Sequence, residues 1–279
     1  MNLAQAATPA SKTVPAEFAR ALEAMTAAAK AAGALALPFF RPGAGTTASV
    51  TFKSGGSPVT QADIAADDCL RTRLLAAFPQ AGWLSEETHD DRGRMDSDVL
   101  FIADPIDGTR GFMAGDARWC VSVALVITGR PVAGVLHAPA LGETLTGALA
   151  QGASCNGRAI SVSARPALAG ALLAGPRLKL EAMARGGPAI EIAEKIPSLA
   201  WRLAGVARGE FDGGLASENS HDWDIAAADI ILHEAGGALC ALDGAPVAYN
   251  RHEPRHGALA AAPPQLMSEL LARARRVFS

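Results

Sequence analysis

The sequence predicts an α/β chain of two lobes, an α+β lobe over residues 1–150 and an α/β lobe over 151–279. Three observations predict it. Two long helical patterns precede a series of short apolar segments joined by tight turns in the first half. After Gly152 short strand-like segments alternate with helical ones. No repeat at a solenoid period and no long low-complexity linker interrupts the 279 residues, so the lobes are expected to pack as one body.

The first helix is expected from about Ala16 to Leu37, where Pro38 stops it. The second is expected from Thr60 to Phe78. Its small and apolar residues Ala62, Ala66, Cys69, Leu70, Leu74 and Ala77 recur at helical spacing. GWL (82–84) and VLFIA (99–103) follow as short strands around the acidic loop THDDRGRMDSD. CVSVALVI (120–127), VAGVLHA (132–138) and ETLTGALA (143–150) read as neighbouring antiparallel strands with turns at 129–131 and 139–142. In the second lobe ALLAG (171–175) reads as a strand, and Asp224–Ala235 and Pro264–Val277 read as helices.

Composition narrows the function classes. The chain is 49% hydrophobic with a formal net charge of −3, which gives no electrostatic drive toward a nucleic acid polymer or a membrane surface. No run approaches the ~18 apolar residues of a membrane span. The start, MNLAQAATPASKTV, has neither a basic segment nor an apolar core and reads as a loose leader, so a cytoplasmic protein is expected. Cys69, Cys120, Cys155 and Cys240 form no C-x-x-C pair and read as reduced structural thiols.

Five acidic positions carry the chemistry. Glu86 ends one strand segment, Asp104 and Asp107 end another, Asp224 opens a helix, and Asp63 lies in a first helical turn. Each has a structural explanation of its own, such as the capping box Thr60-x-x-Asp63 or the preference of a helix start for negative charge. Together they sit at element termini, where loops gather ligands. DPID (104–107) offers two carboxylates three positions apart on a turn stiffened by Pro105, with the Ile106 carbonyl between them. Carboxylates this close repel one another, and a hard cation such as Mg²⁺ takes such oxygen ligands. Gly108 and Thr109 enter what reads as a short helix, where backbone N–H groups can receive a phosphate. A metal site beside an anion site points to phosphate-ester hydrolysis.

These motifs resemble the inositol monophosphatase superfamily of Mg²⁺-dependent, Li⁺-sensitive phosphatases, over nearly the whole chain. Lys53 and SPVTQAD (57–63) resemble the family's lysine and SPVTxAD. WLSEE (83–87) resembles its metal-binding Gly-Glu-Glu, with Ser85 where glycine is common. DPIDGT (104–109) matches unchanged. WDIAAAD (223–229) followed by EAGG (234–237) resembles the WDxA and EAGG signature, and CNG (155–157) resembles the turn that opens the second lobe. One departure is Ser-Gly-Gly at 54–56, where an acidic or amide residue often follows the lysine.

The resemblance implies a layered αβαβα sandwich, as in fructose-1,6-bisphosphatase, and a homodimer. It implies one metal on Glu86, Asp104 and the Ile106 carbonyl, a second on Asp104, Asp107 and Asp224, and a third, weaker one at Glu86, with Li⁺ inhibitory. Glu86 and Thr109 would orient and deprotonate the attacking water, Asp63 would bond the Thr109 hydroxyl, and the Gly108 and Thr109 amides would bind phosphate. Lys53, Asp107, Arg110 and Glu218 are the remaining expected substrate contacts, Glu218 by its place near a residue that meets a substrate hydroxyl in some relatives. His221 reads either as a substrate contact or as a polar helix-entry residue. Arg110, RWCVSVALVI (118–127) and GRPVAGV (129–135) look like the bacterial 3′(2′),5′-bisphosphate nucleotidase branch. The expected reaction is therefore conversion of adenosine 3′,5′-bisphosphate to AMP, ahead of inositol monophosphate and then histidinol phosphate. The alternative outside catalysis is a binding module in an RNA-processing or transcription complex.

Overall fold

The computed structural model describes residues 16–53 and 55–278. The leader expected over 1–14 lies outside the described residues. α1 (Ala16–Ala36) and α2 (Gln61–Ala77) flank a small hairpin of β1 (Val50–Phe52) and β2 (Pro58–Thr60). Then follow β3 (Gly82–Ser85), β4 (Val99–Asp107), the short helix α3 (Thr109–Ala114), β5 (Cys120–Ile127), β6 (Arg130–Ala138), β7 (Glu143–Ala148), β8 (Gly152–Cys155) and β9 (Arg158–Ala159). β3 to β9 form one sheet in sequence order, parallel only between β3 and β4.

The second half contains β10 (Leu172–Ala174), α4 (Arg177–Arg185), β11 (Glu191–Ile192), α5 (Leu199–Ala207), β12 (Gly213–Ala216), α6 (Asp222–Glu234), β13 (Ala238–Ala241), β14 (Leu259–Ala262) and α7 (Pro264–Phe278). Its five-stranded sheet has the order β11-β10-β12-β14-β13 and is mixed in direction.

Five layers result. α1 and α2 cover one face of the large sheet, α5 and α6 fill the space between the two sheets, and α4 and α7 cover the outer face of the small one. This is the expected αβαβα sandwich. The apolar runs explain it: β4 and β5 are buried at every position because helices cover both their faces. α6 lies so close to β6 that a Cβ on Gly134 would sit 2.6 Å from the Ala227 carbonyl, so only glycine fits there.

Three boundaries differ from the sequence expectation. The large sheet does not end near residue 150: β8 and β9 continue it to Ala159, so the boundary drawn between lobes falls inside a sheet. β4 runs through DPID rather than stopping before it, with a register shift between Asp104 and Asp107 where Pro105 supplies no donor to the ladder. α6 begins at Asp222, which puts Asp224 in its third position. The four cysteines are unbridged, as expected. Among the described residues no helix is long and apolar enough to cross a membrane.

Candidate metal and phosphate site

The bulged end of β4 and the start of α6 bring three carboxylates together. One oxygen from each of Asp104, Asp107 and Asp224 lies within 4.8 Å of the others. Asp104 and Asp107 are buried and Asp224 is half-buried. Asp104 is turned by its own loop, since its Oδ1 accepts from the Ile106 N–H at 3.0 Å. Asp224 is held at the helix start, where its Oδ2 accepts from the His221 N–H at 2.6 Å.

Asp107 is held from far along the chain. Ser198 caps α5 by accepting from the Trp201 N–H at 2.9 Å, and its hydroxyl donates to Asp107. The Ala200 N–H also donates to Asp107, at 2.6 Å. The positive end of α5 therefore faces a metal-site carboxylate. Sequence reading missed Ser198. A serine before an apolar run is a recognisable helix cap, but its partner on β4 is not visible in a local pattern.

Glu86 stands at the end of β3, beside this trio. Lys53 Nζ reaches Glu86 Oε1 at 3.1 Å and Glu87 Oε1 at 2.8 Å. The turn that carries both glutamates is pinned to α2 by Asp67, which accepts from the Ser85 hydroxyl at 2.5 Å and from Thr88 at 2.6 Å. Asp67 was also missed. It lies one helical turn after Asp63, on the same face of α2.

Asp63 performs both of its expected roles. Its Oδ2 closes the capping box with the Thr60 N–H at 2.8 Å, and its Oδ1 lies 3.2 Å from the Thr109 hydroxyl. That hydroxyl is also 3.0 Å from the Ile106 carbonyl. Gly108 takes a left-handed backbone at φ 94°, which brings the turn hard against Ser198.

Other expected contacts lie further out. Arg110 is exposed and donates to the Gly56 carbonyl at 3.2 Å, bridging α3 to the loop after β1. Glu218 lies in the exposed turn 217–219, outside the carboxylate group. The His221 ring stacks on Trp223 with centroids 4.5 Å apart and planes 4° apart. This pair lines a cleft of about 400 Å³ that also touches Glu86, His89, Arg92 and Arg255.

The charges are under strain. Burial first, then repulsion from Glu86, Asp107 and Asp224, pushes the Asp104 carboxyl well above its usual range. Asp107 is pushed up to about 7 by burial and by Asp224, against the opposing bonds from Ser198 and Ala200. Burial and the Asp224 charge also raise Glu86, while Lys53 pulls it back. Such a donor set, all oxygen and crowded with like charge, fits a hard divalent cation.

A measurable consequence follows from the sign of these shifts. Without cation, Asp107 stays largely protonated below about 7, so protons compete with metal. Affinity for Mg²⁺ is expected to rise with pH through about 7, with net proton release on binding. Calorimetry in two buffers of different ionisation enthalpy reads the released protons; identical heats at pH ~6.5 would contradict the assignment. Saturating Mg²⁺ should also raise the melting temperature, since ~100 times its Kd stabilises by about 2.7 kcal/mol.

Comparison with known proteins places the chain among relatives of one family. Residues 19–278 match the model of the inositol monophosphatase family. Inositol monophosphatase 3 of Solanum lycopersicum is 35% identical over 228 residues, covering 77% of this chain and 84% of that protein. The Nus factor SuhB of Haemophilus influenzae is 33% identical over 230 residues, 78% and 82% of the two chains. The crystal structure of the extragenic suppressor protein suhB of Bartonella henselae superposes with a TM-score of 0.81 at 29% identity, covering 92% of this chain and 99% of that one.

Proposed function

The chain belongs to the inositol monophosphatase family, and from that premise we propose that it hydrolyses a small polyol phosphate with Mg²⁺, inositol monophosphate being the first candidate. The observation that carries the metal-dependent reading is the convergence of Asp104, Asp107 and Asp224 within 4.8 Å. It is supported by the family's activity and by relatives named as inositol monophosphatases.

In this reading Asp104, Asp107 and Asp224 would hold one cation, and Glu86, Asp104 and the Ile106 carbonyl would hold another. Bound cations would supply Lewis acidity and positive charge for the phosphate and for the departing oxygen. The chain's own residues do the rest. The Thr109 hydroxyl donates to Asp63, which leaves its lone pairs to receive a hydrogen from the attacking water. The Glu86 carboxylate takes the proton that this water gives up. The first N–H groups of the Gly108–Thr109 turn are not used by α3 itself and receive phosphate oxygens. Lys53 holds Glu86 and Glu87 together at the edge of the site.

The nucleotide reading comes second. Arg110, on which it leaned, is engaged with a backbone carbonyl. The stacked His221–Trp223 pair favours it instead, because two parallel rings along the cleft offer a flat surface for a base. A homodimer and Li⁺ inhibition, expected from the resemblance, and a cytoplasmic location, expected from the composition and the N-terminal sequence, belong to the same proposal. The alternative outside catalysis is a binding module in an RNA-processing or transcription complex; the Haemophilus relative is named a Nus factor.

Phosphate release with Mg²⁺, with and without Li⁺, from inositol 1-phosphate, adenosine 3′,5′-bisphosphate and histidinol phosphate tests the reading. Inositol 1-phosphate is expected to turn over fastest, with Li⁺ quenching it. Preference for the bisphosphate would exchange the first and second readings. A folded protein that releases phosphate from none of the three would point to the binding role.

A further inference from the structure

The helix start that carries Asp224 leans on a strap, residues 249–256. The chain enters α6 alongside the end of this strap. The Asp222 N–H donates to the Pro254 carbonyl at 3.0 Å, the His256 N–H to the Ser220 carbonyl at 2.8 Å, and the Asn219 N–H to the His256 carbonyl at 2.9 Å. Tyr249 opens the strap by donating its hydroxyl to Asp229, further along α6, at 2.7 Å. Residues 252–255 of the strap line the same cleft of about 400 Å³ that Glu86 lines.

Two buried charges lock the strap in place. Asp222 is fully buried, and the strap takes both of its oxygens: Oδ1 lies 2.7 Å from His256 Nε2, and Oδ2 accepts from the Asn250 N–H at 2.9 Å. Arg251 reaches the other ring nitrogen of His256, Nδ1, at 3.3 Å. An arginine only donates, so Nδ1 accepts and Nε2 carries the hydrogen that meets Asp222. Arg94 is the second lock. It is buried, pairs with Asp90 in the loop that follows Glu86, and donates to the Asn250 side chain at 2.6 Å and to the Arg251 carbonyl at 3.1 Å. A buried charge that loses its partner is strongly destabilising, so the strap has one favourable placement.

We infer that Asp222, His256 and Arg94 are positioning residues, which through the strap hold Asp224 in place relative to Glu86. Asp222 and Asp224 share a helical turn but serve different partners, the strap for one and the carboxylate trio for the other. The strap thereby joins the two segments, one from each half of the chain, that bring carboxylates to the site. This rests on the two-cation reading and adds to it what fixes the geometry. A misplacement of about 1 Å, made far from the reacting atoms, can cost ~10²-fold in rate.

Calorimetric titration with Mg²⁺ alone and turnover of inositol 1-phosphate test it in H256L, H256Q, D222N and R94M. H256L removes both ring nitrogens, and H256Q keeps a donor for Asp222. In H256L the Kd for Mg²⁺ is expected to rise ~10-fold or more and kcat at saturating Mg²⁺ to fall ~10²-fold. H256Q should recover most of both. D222N and R94M should move both quantities in the direction of H256L, since D222N turns amide hydrogens toward one of the two donors that Asp222 receives. A strap that only stabilises the fold would lower the melting temperature and leave Kd and kcat per folded molecule within about twofold of wild type; that result would overturn the inference. D222N, the closest in shape, decides if H256L does not fold. If wild-type protein binds no Mg²⁺, the cation reading fails and the inference falls with it. If it binds Mg²⁺ but releases no phosphate, the phosphatase reading fails by itself and the Kd values still decide.

Discussion

Asp107→Asn is expected to lower kcat/KM by at least ~10³-fold while the protein stays folded. The substitution removes one of three converging oxygens that carry charge, so divalent cation affinity should fall together with the rate. The fold should survive because the same change relieves crowding. Asp107 is buried at 6% exposure, and Asp224 repels its charge. Asn can keep its oxygen at the Oδ2 position, where the Ala200 N–H and the Ser198 hydroxyl both donate. Without Mg²⁺ the melting temperature should stay within a few degrees of wild type, whereas the stabilisation by Mg²⁺ should shrink or vanish. Phosphate release, calorimetric titration with Mg²⁺ and a thermal melt read the three quantities. A rate within tenfold of wild type would remove Asp107 from the site.

Thr109→Ala is expected to lower kcat ~10²–10³-fold with Mg²⁺ affinity changed little, and Thr109→Ser should restore most of the loss. The hydroxyl lies 3.2 Å from Asp63 Oδ1 and 3.0 Å from the Ile106 carbonyl, and it approaches none of the three clustered carboxylates. In the proposed reaction it orients a water, and a positioned proton-transfer partner contributes on the order of 10²–10⁴-fold. The split between kcat and cation affinity separates this residue from the metal ligands. Equal loss of rate and cation affinity would make Thr109 a support of the DPID turn and would leave the water to other groups. Asp63→Asn is a poorer probe, because Asp63 also caps α2 through Thr60 and its loss would disturb the helix start.

Much of the site was legible in the sequence because its parts are local. DPIDGT is a continuous stretch, and the residue types that bend a strand, ligate a hard cation and free backbone N–H groups follow one another in it. The capping box at Thr60 and Asp63 was legible for the same reason. The groups that aim the carboxylates were not. Ser198 and Ala200 bond Asp107, Asp67 pins the Glu86–Glu87 turn, and Lys53 spans both glutamates. None of these pairs shares a helical turn or a strand register, so no periodicity announces them. Arg110 shows the converse. A basic residue after the phosphate turn suggested an anion contact, and the fold gave its guanidinium a backbone carbonyl instead.

The sequence by itself determined the elements that have strong internal patterns: α2 from its apolar spacing, α1 up to the stop at Pro38, and β4 and β5 as apolar runs, which the fold buries on both faces. It also pointed to a cation site, since the carboxylates of DPIDGT and of the WD pair together make an all-oxygen donor set. The tertiary structure alone decided where the large sheet ends, and that α6 enters between the two sheets and carries Asp224 to Asp104 and Asp107. The physical reason is range. Propensity, capping and periodicity act over a few residues, whereas layer packing acts across the whole chain and settles which distant side chains meet.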